Sequence, residues 1–466
     1  MKWDEEADVV IVGSGVAGLC AAIEATYYGA SVIVIEKMKI TGGNTRISDG
    51  GLSAACNFLQ KKLGIEDSSD LFMEDMLKAG LGLNHPHLVG IVAEKGSEAI
   101  DWTREVLGVR YLDRVDRFGG HSVARTLTTQ RHSGVDIINA QTRKLMQMGV
   151  QIRTCSKMID LVSDGTGQVC GVKILSGYNF SKHHSKSQKN LRAKKAVVLA
   201  TGGFGSDVKF RMLQNPVLDA SMGSTNHKGA TGEGLVAALR LGAAPVHLSW
   251  IQLGPWGCAD EKGYGKGGRF ASYSVYPCGI LVDPASGRRI VNEWGDRKQR
   301  SDAILRSGHP CLGIVDSKGV LKDPESLETC LRQGKVKKFV SLKELATAYG
   351  VDFMELEKTV CHYNRTVKEK GIDEFGKPLG KSATPLNRPP LYAISLWPKV
   401  HYTLGGVGID AHARVVDTKG GVIAGLFAAG EVCGGIHGAD RLGGSSLTEC
   451  IVFGRIAGRS AVGDRS

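Results

Sequence analysis

The sequence predicts an α/β fold, a mostly parallel sheet with a β-meander excursion, interrupted by an α+β insertion. Three observations predict it. First, Asp8-Val-Val-Ile-Val-Gly13 is a short apolar run of β-branched residues, and it leads through a glycine-rich turn into a helical stretch, Leu19–Ala25, and a second run, Ser31-Val-Ile-Val-Ile-Glu36. Short apolar runs of this kind read as buried parallel strands. Second, Ala196-Val-Val-Leu-Ala-Thr-Gly-Gly203 repeats the strand-then-glycine pattern much later, so it adds a third strand to the same sheet. Third, the texture turns irregular and aromatic from about Ser249, and a segment resembling the first domain resumes only after about His401. The chain is therefore divided into residues 1–248, an inserted domain at 249–401, and a return to the first domain at 402–466.

The first turn, Gly13-Ser14-Gly15-Val16-Ala17-Gly18, completes a βαβ unit of G-x-G-x-x-G type. Gly13 and Gly15 permit a tight turn and close approach of a pyrophosphate, and Gly18 lets helix and strand pack closely. The helix N-terminus offers unpaired N–H groups and the positive end of its dipole. Glu36, closing the second strand, is placed to accept hydrogen bonds from a ribose. This is a Rossmann-type dinucleotide site.

Further along, Leu88–Leu107 has helical spacing, and Gln151-Ile-Arg together with Val169-Cys-Gly-Val-Lys-Ile174 reads as the meander. Within the insertion, Gly279-Ile-Leu-Val-Asp283 and Arg289-Ile-Val-Asn292 flank Pro284–Gly287 as a hairpin. Helical patterns follow near Lys298–Arg306 and Leu342–Lys370. The tail gives strands at Val407–Asp410 and Gly425–Ala429, then an apolar helix over Ser446–Ala461.

Composition narrows the function class. Among 466 residues, 42% are hydrophobic and 62 are glycine against 13 proline, which points to packed cores with many tight turns. The formal charge of +12 is spread along the chain. Its one dense run, Ser181–Lys195, has no interleaved aromatic residue and reads as a solvated hairpin, so neither a nucleic-acid nor a membrane role is expected. The eleven cysteines are irregularly spaced with no CxxC pair, which fits reduced thiols in a cytoplasm. No metal site, secretory signal or membrane-spanning run is expected.

Several longer stretches line up in one order: Gly13–Gly18, Glu36-Lys37, Thr41-Gly-Gly-Asn-Thr45, Ser48-Asp-Gly-Gly51, Ala200-Thr-Gly-Gly-Phe204, Ser224–Gly234, His401-Tyr-Thr-Leu-Gly-Gly-Val407, Ala428-Ala-Gly-Glu-Val432 and His437-Gly-Ala-Asp-Arg-Leu-Gly-Gly-Ser-Ser446. Together they resemble the flavoprotein subunits of the fumarate reductase and succinate dehydrogenase family, above all the soluble flavocytochrome c type of flavin domain. The resemblance implies a Rossmann-type FAD-binding domain with an α+β capping domain. It implies FAD contacts from Gly13, Gly15, Val16, Ala17, Gly18, Glu36, Lys37, Thr41, Gly42, Gly43, Asn44, Gly50, Gly51, Thr201, Gly202, Gly203, Gly232, Glu431, Arg441, Ser446 and Leu447. Arg46–Gly50 holds no histidine of the covalent-flavin kind, so noncovalent FAD is expected. His401 and Arg441 are implied as substrate contacts, the arginine fork matching a carboxylate.

The resemblance breaks at two positions. Where fumarate reductases carry a proton-donating arginine, this chain reads Ser274-Val-Tyr-Pro-Cys-Gly279, and where they carry a dicarboxylate histidine before a proline, it reads Gly254-Pro255. Tyr276 and Arg269 are the candidate replacements for the proton donor, with Tyr264 and Tyr273 nearby. The insertion also carries Trp250, Trp256, Phe270 and these tyrosines, an aromatic set suited to a ring-bearing substrate. The expected function is hydride transfer between flavin N5 and a C=C or adjacent C–O centre of an aromatic, isoflavonoid (tetrahydrodaidzein-like) or steroid-like substrate. The alternatives are a fumarate or other small-enoate reductase with a relocated acid, and a flavin electron-relay subunit without a substrate. With no haem or cluster motif, an external donor is expected: NAD(P)H, a ferredoxin-like carrier or a flavin reductase.

Overall fold

In the computed structural model, residues 2–369, 371–379 and 383–463 are described. Lys370, the end of the helical pattern expected over Leu342–Lys370, lies outside them, as do Met1 and residues 464–466. The chain folds as two compact units: Met1–Asp219 with His227–Ile251 and Tyr402–Ser466, and Ala220–Asn226 with Gln252–His401.

The first unit is built on a sheet whose spatial order is Arg414–Val416, Val422–Ala428, Ser187–Leu199, Glu5–Val12, Val32–Ile35 and Ile152–Arg153. All neighbours pair in parallel except the first two. Val9 faces Val32 on one side and Ala196 on the other. The β-branched runs are thus buried on both faces, as an all-parallel centre requires. The meander is real, but Ile152–Arg153 is not part of it. That pair extends the parallel sheet beside Val32–Ile35. The meander is Ser156–Ser163, Val169–Ser176 and Ser187–Leu199. Its last strand takes in the end of the basic run and continues into the sheet, so the predicted hairpin and the third strand are one element. The first helix, Val16–Tyr27, packs with the C-terminal helix, Ser445–Val462. Gly454 and Gly458 bring the two backbones close: a Cβ at either would stand 2.5 or 2.4 Å from a carbonyl oxygen of the first helix.

The second unit holds an antiparallel five-stranded sheet ordered Arg288–Arg289, Ile280–Asp283, Cys311–Asp316, Leu391–Leu396 and Val336–Phe339. Side chains alternate across it: Ile280 and Val282 join one apolar cluster with Leu345 and Tyr363, while Leu281 joins another with Trp256, Phe270 and Tyr276. The helical pattern expected from Leu342 is two helices, Leu342–Tyr349 and Phe353–Glu369, because Gly350 closes the first in a left-handed turn. A buried charge network ties the hairpin down. Glu293 accepts from Arg289 at 2.7 Å and from Lys377 at 2.9 Å, and Arg289 also pairs with Asp373. Two cations and two anions balance, so no buried charge is left alone.

Candidate active site

In the first unit, the turn after the first strand forms a cradle. Gly13 sits at φ +108°, and a Cβ there would stand 2.2 Å from the Ala200 oxygen. A Cβ at Gly18 would stand 2.1 Å from the Gly13 oxygen, so the helix lies directly against the turn. Val16 and Ala17 open that helix, whose cap residue, Gly15, brings no side chain. Glu36 is buried with both oxygens engaged. Oε2 accepts from Ser14 N and Oγ, and Oε1 from Met38 N. The Lys37 ammonium pairs with Glu233 at 2.7 Å, next to the αL cap residue Gly232. Against the cost of burial, Lys37 holds the Glu233 carboxyl down to about 2.

The short helix Gly43–Ile47 follows Gly42, and Asn44 projects from it. Asn44 donates to Glu431 Oε2 at 3.1 Å and accepts from His227 N at 2.7 Å. Thr403 N donates to the other Glu431 oxygen at 3.0 Å. Burial pushes the Glu431 carboxyl up. Gly203 is fitted to this pair, since a Cβ there would meet Thr403 Oγ1 at 1.9 Å. Gly51 begins a short strand paired with Thr126–Thr128, and Gly50 precedes it.

Arg441 is buried, with its guanidinium stacked 4.3 Å from the centre of the Tyr402 ring and donating to the Leu442 oxygen at 3.1 Å. Tyr402 also meets His437 edge-on at 5.8 Å. Behind them lies Glu449, 1% exposed, 4.0 Å from His437 Nε2. The turn after Arg441 is fixed from below, where Ser53 Oγ bonds the Gly443 oxygen and His121 Nε2 lies 2.8 Å from it. The C-terminal helix then begins at Ser445 behind Gly444 at φ +78°, with Ser446 and Leu447 in its first turn. No acidic side chain occupies that turn, so the positive end of an 18-residue helix is left for a ligand.

In the second unit, His401 Nδ1 lies 2.7 Å from Thr225 Oγ1, whose backbone N–H bonds the Val400 oxygen. Trp256 meets the His401 ring edge-on at 5.0 Å, and Tyr264 lies 6.5 Å from it. Arg297 stacks 4.7 Å from the Trp256 ring and donates to Gln252 Oε1 at 2.8 Å. The two candidate proton donors are both engaged. Tyr276 is buried, donates its hydroxyl to the Pro255 oxygen at 2.7 Å, and has its ring covered by Arg300 at 4.3 Å. Burial pushes its ionisation up, which makes it a weaker acid. Arg269 forms a bidentate pair with Asp323 at 2.7 and 3.2 Å.

A family model described as FAD binding domain matches residues 8–447. The chain belongs to that flavoprotein family. It is similar to the acrylate reductase flavoprotein subunit of Shewanella woodyi, 41% identical over 468 residues, covering 98% of this chain and 92% of that one. It is 35% identical over 456 residues to a fumarate reductase (cytochrome) of Shewanella frigidimarina, covering 97% and 76%. Among solved structures, the open conformation of a flavocytochrome c3 fumarate reductase superposes with a TM-score of 0.78 at 33% identity, covering 99% of this chain and 78% of that one. The chain is therefore an FAD-dependent oxidoreductase from a family whose reductases act on C=C bonds.

The residues of the flavoprotein's first unit fit FAD. Gly43 and Gly202 both have positive φ and nothing within 4 Å of where a Cβ would stand, which leaves open space along the cradle. Thr201 Oγ1 and Ser445 Oγ are buried atoms without a hydrogen-bond partner among the described residues. Open glycine walls lined by such hydroxyls suit a polar ligand. Sequence reasoning missed Tyr402, His437, Glu449 and Arg297. Tyr402 and His437 lie inside motifs whose resemblance assigns them no role, while Glu449 and Arg297 carry no motif at all. No helix among the described residues is long and apolar enough to cross a membrane.

Proposed function

We propose that this flavoprotein reduces the C=C bond of an α,β-unsaturated monocarboxylate whose β-carbon bears hydrogen or an apolar, ring-bearing group. The observation that carries the reading is Arg441. Its guanidinium is buried, held flat by Tyr402 and fixed by the backbone it bonds, which is how a fork is preorganised for one carboxylate. His401, oriented by Thr225, is the substrate contact proposed for the second unit. Gly254 and the run Ser274–Gly279 lack the two groups that the fumarate reductase pattern gives to a second carboxylate and to proton delivery. A relative named for acrylate, a small monocarboxylate, agrees with that loss.

When bound and reduced by the external donor, FAD would supply the hydride to one alkene carbon, and the proton for the other would come from solvent. The flavin would be held by Glu36, by the Gly13–Gly18 turn, by Thr41–Asn44, by Gly50 and Gly51, by Thr201–Gly203 and by Glu431. Ser446 and Leu447 would lie at its helix-dipole side, where negative charge is favoured. The chain's own part is to bind, orient and exclude water. Tyr276, bonded to Pro255, is assigned to anchoring that loop, and Arg269 stays with Asp323. External electrons come from a separate donor, toward which a basic surface steers acidic carriers.

The test is anaerobic reoxidation of the photoreduced holoprotein by acrylate, cinnamate and fumarate. The first two are expected to reoxidise it at least about tenfold faster than fumarate, since a second carboxylate would be buried unpaired. Fastest reoxidation by fumarate overturns the reading, and no reoxidation by any of the three favours the electron-relay alternative.

A further inference from the structure

We infer that Trp256 is the residue of the inserted unit that sets substrate class, by meeting the β-substituent of the substrate beside His401. This rests on the 2-enoate reading above. Four contacts fix the indole. A Cβ at Gly254 would stand 3.2 Å from its Cε2 and Cζ2 and 3.4 Å from its Nε1, and a Cβ at Gly268 would stand 2.9 Å from its Cδ1. Arg297 covers one side of the ring at 4.7 Å, and His401 meets it at 5.0 Å with the planes at 81°.

The indole is 5% exposed, yet its Nε1 has no hydrogen-bond partner among the described residues. A buried indole N–H normally finds an acceptor. One left without a partner beside a histidine assigned to substrate points to a ring that faces a ligand rather than a closed core.

The two departures from the fumarate reductase pattern have one explanation in this geometry. A Cβ at 254 would press on the indole at 3.2 Å, so a side chain there requires Trp256 to give way by a few tenths of an ångström. Tyr276, standing where the arginine is lost, bonds the Pro255 oxygen and so fixes the loop that leads directly into Trp256. Both substitutions therefore position one uncharged aromatic wall. Such a wall accepts an aryl or alkyl β-substituent and offers a second carboxylate no charge of its own.

The experiment compares Trp256→Leu and Trp256→Phe with wild type, each purified with FAD and checked by its flavin absorbance. Two ratios are read: kcat/KM for cinnamate over acrylate, and Kd for propanoate over 3-phenylpropanoate. Trp256→Leu is expected to lower both ratios about tenfold, each ratio dividing out whatever the loss of the His401 contact costs both acids alike. Trp256→Phe, which keeps an aromatic face, is expected to retain both ratios within about threefold. Ratios unchanged in Trp256→Leu overturn the inference while the 2-enoate reading stands. A collapse of both ratios in a yellow Trp256→Phe also overturns it. A wild type that neither turns over nor binds any of these acids overturns both readings.

Discussion

Replacing Glu449 by glutamine should change how stability depends on pH. Glu449 is 1% exposed, its Oε1 has no hydrogen-bond partner among the described residues, and the carboxyl accepts a weak bond from Cys450 Sγ at 3.4 Å and one from the Gly430 N–H. Burial, assisted by Glu431 and opposed by Arg441, pushes its carboxyl from 4.5 up to about 8. The other groups facing it are His437, Tyr402 and Cys433. The sign follows directly. Below pH 4.5 both folded and unfolded chains hold the proton and the group costs nothing. Above it the folded state keeps a proton that the unfolded state has released, so stability falls as pH rises, until about pH 8 is passed. That cost is about 1 kcal/mol near pH 5 and about 3 kcal/mol near pH 7. A neutral amide of the same shape carries no such cost. Any packing or hydrogen-bond penalty of the amide is independent of pH, so the informative quantity is the difference between two pH values. Relative to wild type, Glu449→Gln should gain about 2 kcal/mol between pH 5 and pH 7, read from denaturant unfolding of the holoprotein by circular dichroism. A gap that stays constant within about half a kcal/mol would mean that folded Glu449 is ionised at neutral pH, and would refute the reasoning.

Arg441→Gln should lower kcat/KM for acrylate by about 10²- to 10³-fold while the flavin spectrum persists, because an amide offers neither the charge nor the fork; steady-state assay with reduced viologen checks it. Tyr276→Phe should lower kcat/KM by less than about tenfold with little change in the pH profile, as expected of a loop anchor; a loss above about 10²-fold with a displaced alkaline limb would instead assign it proton transfer. Acid precipitation should leave all flavin absorbance in the supernatant, and yellow pelleted protein would show a covalent bond. Gly13→Ala should give protein without flavin, since its Cβ would lie 2.2 Å from a carbonyl oxygen at a positive φ; the absorbance ratio of flavin to protein measures it.

Local pattern carried the nucleotide half of this molecule. The strand–glycine–helix order at Asp8–Ala25, the acid at Glu36 and the glycines around Ala200 name their own structure, because each works through backbone conformation and period within a few residues. The C-terminal helix and the hairpin of the insertion were legible for the same reason. What the sequence left undecided depends on long-range placement. Ile152–Arg153 looks like any other short strand, and only its pairing with Val34 and Ile35 puts it in the parallel sheet. Tyr276 and Arg269 sit in the right stretch for a proton donor, but their partners, Pro255 and Asp323, are 21 and 54 residues away. Arg441 could be named from its motif, whereas Tyr402 beneath it and the buried acid Glu449 behind it could not. By itself the sequence determined a dinucleotide site, since a turn and its glycines are read along the chain, and the family resemblance added FAD and the proposal of Arg441 as a carboxylate contact. The tertiary structure alone decided which polar groups are engaged and which aromatic side chain stands beside His401, since hydrogen bonding and burial are settled by neighbours that the chain brings from far away.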